Sequence, residues 1–443
     1  MTAVKEQQDV YLSTFQAREK TFSGASWLSQ IRRAAIERFA ELGFPTTRQE
    51  AWRFTNVAPI AKVPFELPEA ADDGAAVAIG TMPMADLECG RLVFVNGHFS
   101  GELSSLNGLA KGIKVCSLAE ALAAGTPSLE QHLARHAPYE DHAFVALNTA
   151  FIYDGAYVEI PKGLVLEKPV YLLFVTTTNG RPTVTHPRNL VIAGAESQAT
   201  IIEGHLGLGE GTYLTNAVSE VVVGENAVTH YCRLQQESEQ AYHFGALHVR
   251  LARDANATTY SLGLGAALAR QEVAVVLDGT GSECQLNGLY VVSGRQHVDN
   301  YTTLDHARPH TASREFYKGV LDGKSSGVFH GRIIVRAGAQ KTDAKQSNKN
   351  LLLSDDATIN TKPQLEIHAD DVKCTHGATI GQIDPEAVFY MRSRGVGQDE
   401  ARQILTYAFA NEIIGRIKYE PLASRLEDAL FAQLGVGPRR EGL

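Results

Sequence analysis

The sequence of 443 residues predicts a mainly β protein whose strands stack as the coils of a β-helix, with helical regions on either side. From about residue 150 onward, short runs rich in β-branched residues follow one another, and no convincing helical segment interrupts them. Small residues also recur after polar or glycine corners. They stand 27 to 30 residues apart, at Ala199, Ala227, Ala257 and Cys284. Short strands at regular intervals are typical of a solenoid.

Further along the chain, the spacing of the small apolar residues halves. The residues that stand 13 to 16 positions apart are Val328, Ala344, Ala357 and Val372. A β-sandwich is the competing interpretation, because a series of hairpins also leaves imperfect repeats. In QSNKNLLLS, Gln346, Asn348 and Asn350 share one face of a strand. Their amides either hydrogen-bond from coil to coil, which favours stacked coils, or form a polar outer face.

Helical spacing is typical of the N-terminal region. Apolar residues recur every three or four positions in SWLSQIRRAAIERFAEL, residues 26–42, and Gly43 is placed to end that helix. A second helical patch covers residues 117–136. The alanine- and acid-rich segment 66–86 has no period, and we interpret it as a linker.

Two amphipathic helices are expected at the C-terminal end. Residues 399–419 begin with acidic side chains and end with basic ones, which matches the helix dipole. After Pro421, LASRLEDALFAQLG forms a second amphipathic helix that Gly435 ends. Such a pair either caps the open end of a solenoid or presents a surface to a partner. The chain is therefore divided into an N-terminal mixed helical region with a linker at 1–149, a β-helix core at 150–390 and a C-terminal helical module at 391–443.

Composition excludes several functional classes. A net charge of -9 argues against a nucleic-acid binder, which normally carries a basic face. No segment reaches the roughly 18 consecutive apolar residues of a membrane span, and MTAVKEQQDVYLSTF lacks the pattern of a secretory signal. The five cysteines are far apart and form no CxxC pair, so neither a disulfide framework nor a self-contained metal site is expected. We therefore expect a cytoplasmic protein.

The segment DDVKCTHGATIG places Cys374 and His376 two residues apart, so in a strand both side chains point to the same face. A zinc or cluster site needs four ligands, or three and an open position. Two are too few, so either another chain supplies the missing ligands or the pair has a structural role. Because free cysteine is among the most buried residue types, the bare pattern favours the structural role.

A second group of acidic and histidine side chains lies in RQHVDNYTTLDHARPH. His297, Asp299, His306 and His310 form either a metal cluster or contacts between coils and at an interface. The alternative function for the whole chain is a stand-alone β-helix enzyme acting on a polysaccharide or acyl substrate. Such an enzyme needs paired acid and base groups over a lateral face, for which Asp305 and His306 are the candidates.

Residues 317–395, from YKGVLDG to VFYMRSRG, closely resemble the core shared by the SufB/SufD family of scaffold proteins in bacterial iron-sulfur cluster assembly. FPTTRQEAWRFTN, residues 44–56, resembles an N-terminal motif of that family. SufB-type chains carry a cysteine before the leucine run, where this chain has residues 348–350, and a His-Glu pair at His376-Gly377. The resemblance is therefore to the SufD branch. It implies a right-handed parallel β-helix flanked by helical N-terminal and C-terminal regions.

The resemblance also implies a non-enzymatic scaffold that pairs with a SufB-type homologue and docks a SufC-type ABC ATPase, in which the ATPase activity resides. It implies a nascent iron-sulfur cluster at the interface with SufB, where His376 acts as a metal ligand or proton-handling group and Cys374 is a second candidate. A reduced flavin is a further candidate cofactor, and a homodimer is expected when the partner is absent. The residues expected to bind the ATPase are Arg402, Leu405, Phe409 and Ile413.

Overall fold

The computed structural model describes residues 2–22, 25–68, 84–178 and 180–434. Its centre is a parallel β-solenoid of about eight turns, which confirms the predicted parallel β-helix over the sandwich. Most turns contribute one strand to each of two facing sheets. The strands are β1 (Gly90–Val95), β2 (His98–Ser105), β3 (Lys114–Ser117), β4 (Ala156–Ile160), β5 (Val170–Thr177), β6 (Thr183–Thr185), β7 (Arg188–Ala193), β8 (Gln198–Leu208), β9 (Tyr213–Val223), β10 (Val228–Gln236), β11 (Tyr242–Leu251), β12 (Asn256–Gly263), β13 (Leu268–Leu277), β14 (Glu283–Val292), β15 (His297–His306), β16 (Ala312–Leu321), β17 (Ser326–Val335), β18 (Asp343–Leu352), β19 (Thr358–Ile367) and β20 (Lys373–Gly381).

The first sheet has the order β2-β1-β5-β8-β10-β12-β14-β16-β18-β20, and the second has β19-β17-β15-β13-β11-β9-β7-β4-β3, with β6 also paired to β9. The register between the strands of the first sheet explains the repeat of small residues. The residues stacked above one another in the first sheet are Ala199, Thr229, Ala257, Cys284, Ser313, Ala344 and Cys374. Ala227 is therefore not in this column, since Thr229 takes the place expected for it. The spacing halves at Val328 and Ala344 because these residues belong to opposite sheets, in β17 and β18.

Eight helices flank the solenoid in the described part of the chain. They are α1 (Thr2–Arg18), α2 (Ser26–Leu42), α3 (Leu118–Ala123), α4 (Pro127–His132), α5 (Ala143–Ala150), α6 (Pro385–Ser393), α7 (Gln398–Ile414) and α8 (Glu420–Gln433). The helix predicted at residues 26–42 is confirmed, and it ends at Gly43, whose φ of 63° suits glycine. Of the expected linker, residues 69–83 lie outside the described residues, as does Gly435.

The N-terminal region contributes both helices and strands. The apolar sides of α2 and α5 cover the outer face of the second sheet, where Phe144 stacks on Phe244 with ring centroids 3.8 Å apart. β1 pairs in parallel with β5, and β3 pairs antiparallel with β4, so both sheets begin before residue 150. Of these four strands, β1 and β3 were not anticipated, and neither were α1 and α5, because their sequences are short or mix polar with aromatic residues.

The C-terminal helices α7 and α8 lie along the flank of the solenoid. Ile413 is fully buried among outward-facing side chains of the first sheet. Tyr260 Oη donates a hydrogen bond of 2.7 Å to the carbonyl oxygen of Arg416, and Lys318 Nζ donates one of 2.8 Å to that of Phe409. The helices leave β20 exposed at every residue except the half-buried Cys374, so they do not cap the open end. None of the helices described is both long and apolar enough to cross a membrane.

Candidate functional site at the open end of the solenoid

The last coil, formed by β19 and β20, leaves the solenoid open at its C-terminal end. Among the described strands, β19 pairs only with β17 and β20 only with β18, so each strand offers a free backbone edge. Large apolar side chains are also exposed near this end. Their exposed fractions are 41% for Ile367, 50% for Ile380, 74% for Phe389 and 56% for Tyr390. A free strand edge beside exposed apolar side chains is typical of an interaction surface.

Cys374 and His376 lie on β20 at the rim of this opening. Cys374 packs against the apolar interior of the solenoid, and burial raises the pKa of its thiol. Because side chains two residues apart point to the same face, His376 is on the inward side as well, yet it is exposed since no coil follows. The thiol is protonated at neutral pH and a poor ligand in the isolated chain, whereas the imidazole is accessible.

A buried polar column leads down from His376 into the solenoid. The register places Gln346 one coil below His376, and Glu315 one coil below Gln346. Gln346 Nε2 donates a hydrogen bond of 2.7 Å to Glu315 Oε2, while the hydroxyl of Thr302 donates to the other carboxylate oxygen. Burial raises the pKa of Glu315 to about 7, because only neutral groups donate to it. Sequence analysis missed Glu315, since alternation alone does not reveal which face is inside.

The amide side chains of QSNKNLLLS point inward, so the alternative of a polar outer face is wrong. Gln346, Asn348 and Asn350 are at most 3% exposed. Their bonding from coil to coil is confirmed: Asn348 Nδ2 donates a hydrogen bond of 3.3 Å to the carbonyl oxygen of Tyr317. Asn350 Nδ2 donates one of 2.6 Å to Asn348 Oδ1. These bonds satisfy polar groups that would otherwise be costly to bury.

The four residues expected on the ATPase-binding surface have different environments. Arg402 is exposed and Leu405 is half-buried, so both are accessible on α7. Phe409 is half-buried, with its ring centroid 4.0 Å from Lys318 Nζ, and Ile413 is fully buried against the first sheet. The last two side chains therefore hold the helix on the solenoid. Contact of this helix with an ATPase stays a prediction.

The histidine and acidic residues of β15 form packing contacts with other segments of the chain. Thr55 Oγ1, from the segment FPTTRQEAWRFTN, donates a hydrogen bond of 2.6 Å to Asp299 Oδ2 and lies 2.9 Å from His297 Nε2. His306 is fully buried against the hydroxyls of Thr311 and Ser313. These contacts fit the coil-packing interpretation. No group of three or more His, Cys, Asp or Glu side chains within the described ranges is arranged to hold a metal ion.

Asp305 and His306, the candidates for an enzyme, do not form a pair. Arg336 Nε donates a hydrogen bond of 2.9 Å to Asp305 Oδ1 on the outside of the solenoid. His306 is buried inside, because consecutive residues of a strand point to opposite faces. The arrangement therefore offers no acid and base acting on one substrate at this position.

Comparison with known proteins covers nearly the whole chain. A family model described as the SufBD core domain of SUF system FeS cluster assembly matches residues 174–409, and one for the SufBD protein N-terminal region matches residues 5–172. An iron-sulfur cluster assembly SufBD family protein of Synechocystis sp. is 34% identical over 414 residues, or 91% of each chain. The iron-sulfur cluster assembly protein SufD of Escherichia coli is 30% identical over 412 residues, covering 91% of this chain and 92% of the relative. SufD of Bacillus subtilis is 25% identical over 430 residues, or 94% and 95% of the two chains.

Proposed function

The chain belongs to the SufBD family of iron-sulfur cluster assembly proteins, and we propose that it acts there as a SufD-type, non-enzymatic scaffold subunit. In this proposal it pairs with a SufB-type homologue and docks a SufC-type ATPase. The observation that carries it is the open end of the solenoid, where β19 and β20 have free edges and apolar side chains are exposed. A second solenoid presenting the same kind of end satisfies these edges by backbone hydrogen bonds.

Pairing at this end would bring His376 and Cys374 to the interface with the partner. Two donors from this chain are too few for a cluster, so the remaining ligands come from the SufB-type chain. The nascent iron-sulfur cluster is the cargo of this site. A neutral imidazole can ligate iron directly, and the half-buried thiol of Cys374 becomes a ligand once iron displaces its proton.

The ATPase would dock on the flank, at the accessible surface of α7 around Arg402 and Leu405. This helix is joined rigidly to the first sheet through Ile413 and through Lys318, which also pairs with Glu412 on α7. A movement of the ATPase would therefore be transmitted to the solenoid and to its open end. Nucleotide-driven closure of two ATPase subunits then changes how the two scaffold chains face each other.

The proposal is tested by co-expressing the tagged chain with SufB-type and SufC-type partners and measuring complex recovery and iron content. We expect His376→Ala to leave the complex intact and to lower its iron content at least about tenfold, because an exposed ligand is removed without loss of packing. Thr375→Ala is the matched control, since Thr375 is exposed on the same strand but points to the opposite face.

Equal iron in the His376→Ala and control complexes would exclude this residue as a ligand. Failure to recover any complex with the unmodified chain would contradict the scaffold role itself, and a homodimer would then be the assembly to examine. The reduced flavin stays a prediction, and the absorbance of the same preparation tests it.

A further inference from the structure

Of the two polar atoms in the Gln346 side chain, only Nε2 has a hydrogen-bond partner. Its Nε2 donates to Glu315 Oε2 at 2.7 Å, but its Oε1 is buried and has no partner. A buried acceptor without a donor is unfavourable, so such an atom in a folded protein requires an explanation. No described donor lies within hydrogen-bonding distance of this oxygen in the structure, so its partner has to be a neighbouring group that can move toward it.

The register identifies the side chain that can supply this donor. Along the first sheet, the inward-facing column runs from Leu286 through Glu315 and Gln346 to His376. Adjacent parallel strands are about 4.8 Å apart, which brings an imidazole within hydrogen-bonding reach of an amide in the coil below. His376 is the group that follows Gln346 in this column, and an imidazole carries the N–H that Oε1 lacks.

The carboxylate of Glu315, one coil below, sets the orientation of the Gln346 amide. The carboxylate of Glu315 is an acceptor, and Thr302 already donates to its other oxygen. An ionised carboxylate attracts the NH₂ group of Gln346 and repels its carbonyl oxygen, so Oε1 is turned away from Glu315. The buried acid thus fixes which end of the amide meets the last coil.

We propose that Gln346 is the positioning residue of His376: its Oε1 accepts the hydrogen of one imidazole nitrogen and leaves the other nitrogen unprotonated at the open end. A histidine ligand normally has its second nitrogen held by such a hydrogen bond, which sets the tautomer and the ring orientation. The effect on iron rests on the proposed function, whereas the effect on the tautomer does not.

The tautomer is measured on the isolated full-length chain, without iron, from the nitrogen-15 chemical shifts of the His376 ring above pH 8. We expect one tautomer to predominate in the wild type, and its ratio to the other to fall about five- to tenfold in Gln346→Met, the change expected for one lost hydrogen bond. Glu315→Leu should have the same effect without touching His376, because it frees the amide to turn. Leucine already occupies this column at residue 286.

Lys345→Ala is the matched control, since Lys345 is exposed on the same strand β18 and points outward. Circular dichroism shows whether each variant folds. If one of Gln346→Met and Glu315→Leu fails to fold, the tautomer ratio of the other variant tests the proposal. An unchanged tautomer ratio in folded Gln346→Met or Glu315→Leu would overturn the proposal.

Iron content of the three-chain complex separates this inference from the proposed function. A changed tautomer with lowered iron supports both. A changed tautomer with full iron content supports the positioning by Gln346 and contradicts the role of His376 as a ligand. An unchanged tautomer overturns the positioning whatever the iron content.

Discussion

Two inward-facing glutamates, Glu203 in an early coil and Glu315 near the open end, have opposite electrostatic environments. Both are at most 2% exposed. Burial alone would raise the pKa of Glu203, but Arg233 and hydrogen bonds to the carboxylate hold that pKa well below its usual range. Around Glu315 the donors are the neutral side chains of Thr302 and Gln346, and burial raises its pKa to about 7.

The difference shows that one solenoid holds buried carboxylates in two ways. A buried carboxylate beside a cation stays ionised and becomes a permanent part of the structure. A buried carboxylate among neutral donors changes its protonation near neutral pH, which is typical of functional sites. We therefore expect protonation to change near neutral pH at Glu315, near the open end, and not at Glu203 in the early coil.

The largest effect is expected from removing the cation of the early coil. Arg233 is 1% exposed, its Nη1 donates a hydrogen bond of 2.9 Å to Gln271 Oε1, and its Nε lies 3.5 Å from Glu203 Oε1. Arg233→Met removes the guanidinium and leaves Glu203 only its contacts with His205, Ser219 and Tyr231. Removing one partner of a buried ion pair typically costs about 3 to 5 kcal/mol. Urea unfolding followed by circular dichroism measures the loss.

Arg253→Met is the matched control for that variant. Arg253 also pairs with two carboxylates, of Glu225 and Asp254, but its side chain is 54% exposed. Exposed ion pairs contribute about 0 to 1 kcal/mol, so the control should change stability little. Equal losses in the two variants would contradict the assignment of the early coil as a stabilising ion-pair cluster.

A smaller effect, which depends on pH, is expected at Glu315. Its pKa is 4.5 as a reference for the unfolded chain and about 7 in the folded one, so the folded state binds the proton more tightly and stability falls as the pH rises through this interval. Glu315→Gln does not titrate. The free energy of unfolding of Glu315→Gln, relative to that of the wild type, should therefore rise by about 3 kcal/mol when the pH is raised from about 4.5 to about 8. Urea unfolding of both proteins at each pH measures this difference.

Glu283→Gln, an exposed change on the neighbouring strand β14, is the control and should follow the wild type at both pH values. If Glu315→Gln also follows the wild type, Glu315 is ionised throughout, and the contrast with Glu203 disappears.

The smallest effect concerns binding at the open end. Ile380 is 50% exposed on β20, and Ile380→Glu should weaken pairing with a SufB-type chain at least about tenfold, because a charge replaces an apolar contact. Val165, 51% exposed before β5, offers the control Val165→Glu. The dissociation constant of each variant is measured by its binding to the SufB-type chain immobilised on a surface. Equal weakening by the two variants would place the pairing surface elsewhere.

Local sequence signals were enough to predict the stacked coils and several helices. The runs of β-branched residues favour strands through their own side-chain packing, and the spacing between Ala257 and Cys284 reports the length of one coil. The helix at residues 26–42 is encoded by the helical spacing of its apolar residues and by Gly43. The resemblance of residues 317–395 to the SufB/SufD family also came from the sequence, and family matches over most of the chain confirm it.

The site depended on information that a sequence period does not contain. Alternation showed that Gln346, Asn348 and Asn350 share a face, but both faces of a strand obey the same period, so only the packed solenoid shows that this face is inside. The pKa of Glu315 likewise follows from the absence of a cation among the groups described around it, which no local pattern encodes.

The sequence by itself therefore determined the stacked strands, the helical ends and the pairing of Cys374 with His376 on one face, because these features depend on residues close together in the chain. The tertiary structure decided that α7 and α8 lie on the flank and leave the end open, and that His376 stands above Gln346 and Glu315. Those contacts join residues about thirty or more positions apart, and only the register of the coils brings them together.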